Sequence, residues 1–295
     1  MSTGSPILPP GAAGEPLPRT AELATLWRLL RSPVGALGLA LVAFWVAVAL
    51  FAPLIAPFEP NANDYLALAD PTPSGVHWLG TDNLGRDIVS RLAWGARTVL
   101  VIVPIAVAAA YAIGCLMGLL AGYIGGWADT LLMRLSDVIL SFPVIILYMI
   151  VLAHFGPSAI NVILAVAFTA APSVARIVRG LTLDLSNRPY VAAARLRGES
   201  PWYVMFVEIL PNARGPLIVD GCLRMGYTTI AIGVLGFLGL GLPPDDPNWG
   251  GMVKDTYALM SVYPHMSLIP CGAITSLVIG FNLLADGLRE VAGDE

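Results

Sequence analysis

The sequence predicts an all-α integral membrane protein. Of its 295 residues, 57% are hydrophobic and only 12% are charged, and the mean hydropathy is +0.76. Soluble domains carry roughly 25% charged residues. Five long stretches contain no Asp, Glu, Lys or Arg, and each is at least as long as the roughly 20 residues that a spanning helix needs. One of them contains a turn signal, so six transmembrane helices are predicted.

The N-terminal third is expected to hold a tail, one helix and an external segment. Residues 1–25 form a predicted disordered cytoplasmic tail, because their first part is rich in Pro, Gly, Ala and Ser. The first helix, at about 34–56, is too long for the 7–15-residue core of a secretory signal and should be retained. The external segment extends to residue 97, and we expect residues 84–97 to form an amphipathic helix on the outer surface.

The other five helices are predicted within a membrane core at residues 98–290. The stretch from 138 to 175 contains His154, Gly156, Pro157 and Ser158, a turn signal that divides it into two helices. The predicted helices lie at about 98–122, 138–155, 159–178, 217–241 and 266–286.

Basic residues predict that both termini are cytoplasmic. Arg19, Arg28 and Arg31 precede the first helix, and positive charge accumulates on the cytoplasmic side of membrane proteins. An even number of spans returns the C-terminus to the same side. The loop before the fifth helix is arginine-rich as well: Arg176, Arg179, Arg188, Arg195, Arg197 and Arg214.

Two features of the spans each leave two interpretations open. Gly114, Gly118 and Gly122 repeat every four residues, which predicts close helix packing, either on a partner or within this chain. Asp220 and Arg224 stand four residues apart and can pair on one helix face. Their role is then either structural or to line the inner mouth of a path.

Several chemistries are excluded by the residues present. A phosphate-binding Walker loop needs a Gly-Lys pair, and the only lysine, Lys254, follows Val253. Serine-hydrolase and zinc-protease motifs are absent from the sequence. Cys115, Cys222 and Cys271 have no pairing or metal-ligand spacing. We therefore expect no enzyme activity, cofactor, metal site or nucleic-acid partner.

Residues 190–212, YVAAARLRGESPWYVMFVEILPN, predict a helix-turn-helix elbow. Good helix formers run from Tyr190 to Arg197, and Gly198 tolerates a left-handed turn. Ser200 followed by Pro201 is a favourable start for a second helix, which is expected to extend through Phe206. Leu210 and Pro211 are predicted to end it.

This elbow resembles the cytoplasmic coupling loop of ABC importer permeases, whose pattern runs Glu-Ala-Ala, three residues, Gly, about nine residues, then Ile-x-Leu-Pro. Ala192 stands where the family has glutamate, so any ionic contact of that carboxylate is missing. The resemblance implies an ATPase-coupling loop at 188–212. Its predicted coupling residues are Tyr190, Ala192, Ala193, Ala194, Arg195, Gly198, Ser200, Pro201, Ile209, Leu210 and Pro211.

Five further stretches resemble, in order, the peptide and nickel subgroup of these permeases, and within it the C-type subunit of dipeptide and oligopeptide importers. The resemblance implies a type I importer bundle in the bacterial inner membrane, a B-type permease partner, two ATPase subunits and an external substrate-binding protein. It implies dipeptides or short oligopeptides as substrate. The stretches are HWLGTDNLGRDIVSRLAWGARTVL (77–100), GYIGGWADTLLMRLSDVILSFP (122–143), LGFLGLGLPP (235–244), NWGGM (248–252) and FNLLADGLRE (281–290).

Three alternatives stay open at this point. In the first alternative, the same transport machinery carries nickel chelates, glutathione or another small solute. An ion-coupled secondary transporter would need inverted repeats and buried carboxylates near mid-membrane, and the uncharged span centres disfavour it. A structural subunit of a larger membrane complex would leave the elbow without a motor.

Overall fold

The computed structural model describes residues 27–243 and 245–293. Within these ranges the regular structure is helical, apart from one isolated bridge between Thr81 and Asp87. The predicted disordered tail at 1–25 lies outside the described residues. The helices are α1 Pro33–Leu50, α2 Ala52–Ile55, α3 Ile88–Ile124, α4 Gly126–Leu140, α5 Val144–Phe155, α6 Ala159–Leu185, α7 Pro189–Leu196, α8 Pro201–Tyr203, α9 Leu210–Asn212, α10 Arg214–Phe237, α11 Trp249–Thr256 and α12 His265–Gly293.

Five of these helices, α1, α3, α6, α10 and α12, are long and apolar enough to cross a membrane. Helices α4 and α5 pass the same test together, although they bend by 84° at the break between them. The six predicted spans are therefore found when α4 and α5 count as one broken span.

The prediction of a separate amphipathic helix at 84–97 is wrong. Helix α3 begins at Ile88, where Asp87 caps it by accepting a hydrogen bond from the Ser90 N–H at 2.7 Å. Its first turns bury Ile88, Ala93 and Ala96, which a surface helix would leave on the lipid. With 37 residues, α3 is about 55 Å long, well beyond the roughly 30 Å hydrocarbon core. One end of α3 therefore projects from the membrane.

Prolines and glycines explain the other differences in helix bounds. The first helix stops at Leu50, because Pro53 cannot donate to a continuing ladder. The third span starts earlier, at Gly126, and breaks before Pro143, which disfavours helix in the preceding residue. Helix α10 ends at Phe237, because Gly239 turns with φ of 75°.

Charged residues do not end α6 at residue 178 as predicted, since their charges are paired. Arg179 donates to both carboxylate oxygens of Asp129 on α4, at 2.5 and 2.6 Å. Arg176 donates to Asp137 at 2.6 Å. Helix α6 consequently continues to Leu185.

The glycine stripe of α3 packs against α6 of the same chain, in the most extensive interface between described helices. A Cβ placed on Gly114 would lie 2.5 Å from the Cβ of Val174. One placed on Gly122 would lie 2.7 Å from the Cβ of Thr182. This answers the question that the sequence left open, because no side chain larger than hydrogen fits between the two helices.

Trp249 of α11 joins four helices at the main core. Its indole N–H donates to the Leu92 carbonyl of α3 at 3.0 Å, and its ring meets the ring of Trp45 on α1 edge-on at 4.8 Å. Trp45 in turn donates to the Ser276 hydroxyl of α12 at 2.9 Å. Both buried indoles thus have hydrogen-bond partners.

The segment between α2 and α3 is folded around buried charges. His77 lies between two carboxylates, 2.9 Å from Asp87 and 3.3 Å from Asp64. Arg86 donates to Asp82 at 2.6 Å and to Asp255, at the end of α11, at 3.0 Å. These hydrogen bonds and the arginine ion pairs hold the segment against the ends of α3 and α11.

Candidate coupling site and bundle cavity

The local structure of the elbow agrees with the sequence over its first half. Helix α7 is followed by Gly198, whose φ is 82°. The Ser200 hydroxyl then accepts a hydrogen bond from the Tyr203 N–H at 3.2 Å, and Pro201 takes the first helical position. The turn and the second helix start therefore form where predicted.

The second half of the elbow is longer than predicted. Helical backbone continues from α8 through a π-helix at Val204–Ile209 into α9, so the second helix ends at Asn212 rather than near Phe206. Pro211 lies inside this last turn and does not stop it. It is accommodated because it sits at the start of α9, directly after the wider π turn, where a missing N–H is tolerated.

The predicted coupling residues divide between two faces of the elbow. Ala194 and Ile209 are buried, and Tyr190 and Leu210 are half-buried. Burial raises the pKa of Tyr190 above its ordinary value. The remaining predicted residues are exposed: Ala192, Ala193, Arg195, Gly198, Ser200, Pro201 and Pro211.

The buried face shares a hydrophobic core with three spans. Val191, Ala194 and Ile209 from the elbow contribute to the same cluster as residues near the ends of α3, α6 and α10. A force applied to the elbow is therefore transmitted to these helices through close-packed side chains. The spans contribute Leu119, Val174, Val178 and Leu217.

Polar contacts hold the two halves of the elbow in place. Arg197, after α7, donates to Glu208 of the π-helix at 3.2 Å. The guanidinium of Arg195 lies over the ring of Tyr123 at the end of α3, 4.8 Å from its centre, in a cation–π contact.

The opposite face of the elbow exposes large apolar side chains, which we call the outer patch. Leu196 is 89% exposed and Trp202 is 56% exposed, and the Trp202 ring stacks on Phe206. Sequence reasoning missed this patch. The signal that could have revealed it is the presence of apolar residues on both sides of Gly198, outside any predicted span. Exposed apolar patches of this kind mark interaction surfaces. The outer patch consists of Leu196, Trp202, Tyr203, Phe206 and Val207.

A cavity of about 360 Å³ opens between α3, the α4–α5 pair, α6 and α10. Arg224 lines it, and donates to Asp220 at 2.6 Å and to Ser173 at 2.8 Å. Tyr111 donates to the same Asp220 oxygen at 2.5 Å. The Asp220–Arg224 pair, which the sequence left with two interpretations, is thus an ion pair whose arginine forms part of the cavity wall.

Comparison with protein families fits this architecture. The model of the binding-protein-dependent transport system inner membrane component matches residues 114–292, more than half of the chain. The chain belongs to this permease family. The N-terminal transmembrane domain of oligopeptide transport permease C also matches, over residues 24–71. The predicted resemblance to C-type permeases is confirmed.

Curated relatives match the permease over nearly its whole length. The glutathione transport system permease protein GsiD of Pectobacterium atrosepticum is 40% identical over 281 residues, 93% of each chain. The dipeptide transport system permease protein DppC of Alkalihalophilus pseudofirmus is 34% identical over 97% of this chain and 95% of its own. The probable D,D-dipeptide transport system permease protein DdpC of Escherichia coli is 36% identical over 90% and 89%.

Family membership also establishes the setting of the permease. It is a multi-pass inner membrane component of a bacterial ABC importer, as the apolar helices predict. In this family the permease is distinct from the ATPase, and it works with ATPase and substrate-binding subunits.

Proposed function

We propose that this permease is the C-type half of an importer for dipeptides or short oligopeptides. It pairs with a B-type permease, receives peptide from the external binding protein, and binds the two ATPase subunits from inside. The coupling loop at 188–212 faces the cytoplasm together with both termini, in accordance with the arginine distribution.

The outer patch is the observation that carries the coupling role. It lies on a helical elbow between two spans, and its five apolar side chains remain exposed. Two short helices meeting at Gly198 present these side chains on one exposed elbow, which suits docking to a partner. Burying the outer patch would remove apolar surface from water, which favours association.

The buried face of the elbow supports the second half of the mechanism. When ATP closes the ATPase pair, the elbow moves with it and pushes on the ends of α3, α6 and α10 through their shared core. Packed cores switch between discrete arrangements rather than deform continuously. The bundle then rocks from inward-facing to outward-facing, and peptide from the binding protein enters in the outward state.

The substrate class follows from the relatives. The names of two of the three relatives described above mention dipeptides, and the name of the third mentions glutathione, which is chemically a tripeptide. Glutathione is therefore the leading alternative substrate, ahead of nickel chelates and other small solutes.

The test compares one glutamate substitution in the outer patch with the same change in the segment between α2 and α3. Leu196 is 89% exposed and Leu66 is 88% exposed, so each change places a charge on an equally open position. After mild-detergent purification, we expect Leu196→Glu to lose the ATPase subunits and Leu66→Glu to retain them. Equal retention in both variants, or transport by the chain without ATP, would contradict the proposal.

A further inference from the structure

We propose that Arg224 is the point at which this permease contacts the carboxylate of a peptide in transit. The inference rests on the transport function proposed above and names the substrate group that this chain recognises. The cavity wall between α3, α5, α6 and α10 is the surface concerned.

The guanidinium of Arg224 is fixed on two sides and open on the third. Its Nε donates to Asp220 and its Nη2 donates to Ser173, at 2.6 and 2.8 Å. Its Nη1 has no hydrogen-bond partner among the described residues, while the side chain lines the cavity. A fixed arginine with free N–H groups is well suited to a carboxylate, which it binds in a defined plane.

The position of Asp220 makes this contact weak enough for transport. Asp220 does not line the cavity, and Tyr111 donates to it as well, so it partly neutralises Arg224 without competing for the open side. An unpaired arginine in a low-dielectric cavity would hold an anion tightly. A path must instead bind favourably enough for entry and weakly enough for exit.

The rest of the cavity suits a solute whose body varies. Val144, Ile145 and Val234 supply apolar wall, and Tyr148 and Tyr227 supply rings. Such a surface accepts many side chains without demanding one. The α-carboxylate is the feature that such peptides share, and it is the group that Arg224 can recognise.

A purely structural ion pair is the competing explanation, since Arg224 also links α10 to α6 through Ser173. The two explanations differ in what they predict for productive transport. A structural role affects assembly and ATP hydrolysis together with transport. A transit contact lowers the number of peptides moved for each ATP hydrolysed.

The experiment uses the complete importer in proteoliposomes, with dialanine and glutathione as parallel labelled probes. We expect Arg224→Gln to lower the peptide moved per ATP roughly tenfold, as the loss of a charged hydrogen bond implies. Arg224→Lys should retain part of it. The control is Arg289→Gln, which breaks an exposed ion pair with Asp286 away from the cavity and should leave the ratio as in the parent.

An unchanged ratio in Arg224→Gln overturns the inference, as does a parallel fall in ATP hydrolysis and transport. If Arg224→Gln does not assemble, Ser173→Ala decides, because it removes a hydrogen bond that positions the guanidinium of Arg224 and keeps the Asp220 pair. That variant should lower the number of peptides moved per ATP roughly two- to fivefold. An unchanged number overturns the inference. The proposed function itself fails if the parent importer moves neither probe and its rate of ATP hydrolysis does not change when the peptide-bound binding protein is added.

Discussion

Gly118 of α3 lies so close to Val178 of α6 that a Cβ placed on the glycine would stand 2.6 Å from the Cβ of the valine. Val178 is 1% exposed and belongs to the core that the elbow shares with the spans. The spacing of α3 and α6 therefore bears directly on how the elbow is seated.

Gly118→Ala is the first prediction. The added methyl group forces the two helices apart, and we expect a loss of roughly 1–3 kcal/mol in the free energy of unfolding. Unfolding in mixed micelles measures it. Gly180→Ala is the control, because nothing lies within 4 Å of a Cβ at that position on α6, and it should be neutral or stabilise the helix by up to about 1 kcal/mol. Equal effects at both positions would show that close packing is not the cause.

The contact between Gly118 and Val178 predicts non-additivity. Val178→Gly removes the Cβ and the Cγ atoms that the added methyl group would meet, so the double variant should lose less stability than the sum of the two single variants. Additive losses would contradict the close approach of these two residues.

Gly198 gives a prediction about the elbow itself. Its φ of 82° is unfavourable for a residue with a Cβ, although the surrounding space is open. We expect Gly198→Ala to weaken the elbow by about 1–2 kcal/mol, with faster hydrogen exchange in α7 and residues 201–212. Asparagine tolerates this backbone region better, so Gly198→Asn should be milder. Gly215→Ala, at an open position without positive φ, is the matched control and should leave exchange unchanged.

Neighbouring alanines of α7 should respond oppositely to glutamate. Ala192 is exposed, and Arg188 lies four residues before it and Arg195 three residues after it. Ala192→Glu should therefore leave the free energy of unfolding unchanged or raise it by about 0.2–0.5 kcal/mol for each Glu–Arg pair. Ala194 is 0% exposed, and Ala194→Glu buries a charge and should disrupt the elbow. Thermal unfolding in detergent distinguishes them. A similar loss in both variants would contradict the two-faced elbow.

Asp64 predicts a pH dependence in the segment between α2 and α3. Hydrogen bonds from His77 and the Leu66 N–H hold the pKa of Asp64 below its ordinary value of 3.8. Since the folded-state pKa is the lower one, the stability that Asp64 contributes is complete above about pH 5 and is lost as the pH falls through the folded-state value. The Tm difference between the parent and Asp64→Asn should therefore narrow from pH 6 to pH 3.

The matched control for this prediction is Asp246→Asn. Asp246 is exposed, and its carboxylate has no hydrogen bond or ion pair within the described part of the chain. It tests the removal of an exposed charge without a partner. A Tm difference for Asp64→Asn that stays constant across the pH range would show that its hydrogen bonds do not act through ionisation.

The sequence predicts those features that depend on neighbouring residues. Gly198, Ser200 and Pro201 define a turn and a helix start through their own backbone chemistry, and the structure confirms both. The apolar stretches likewise indicate the number of spans by length alone.

Features that depend on distant residues were missed. Whether Ile88 begins a span or a surface helix depends on what covers it, and in the structure it is fully buried. Leu196 and Trp202 could have packed inward as Val191 does, so the outer patch is visible only once the buried face of the elbow is known. The partner of the α3 glycines is likewise a tertiary property.

Photo-crosslinking tests most directly the central claim that the elbow binds the ATPase subunits. A benzophenone amino acid replaces Trp202 in the outer patch or Trp78 in the segment between α2 and α3, which are 56% and 65% exposed. In the complete importer we predict crosslinks from position 202 to an ATPase subunit and none to it from position 78. The account would be contradicted if position 202 gave no crosslink to the ATPase, or if both positions gave equal crosslinks to it.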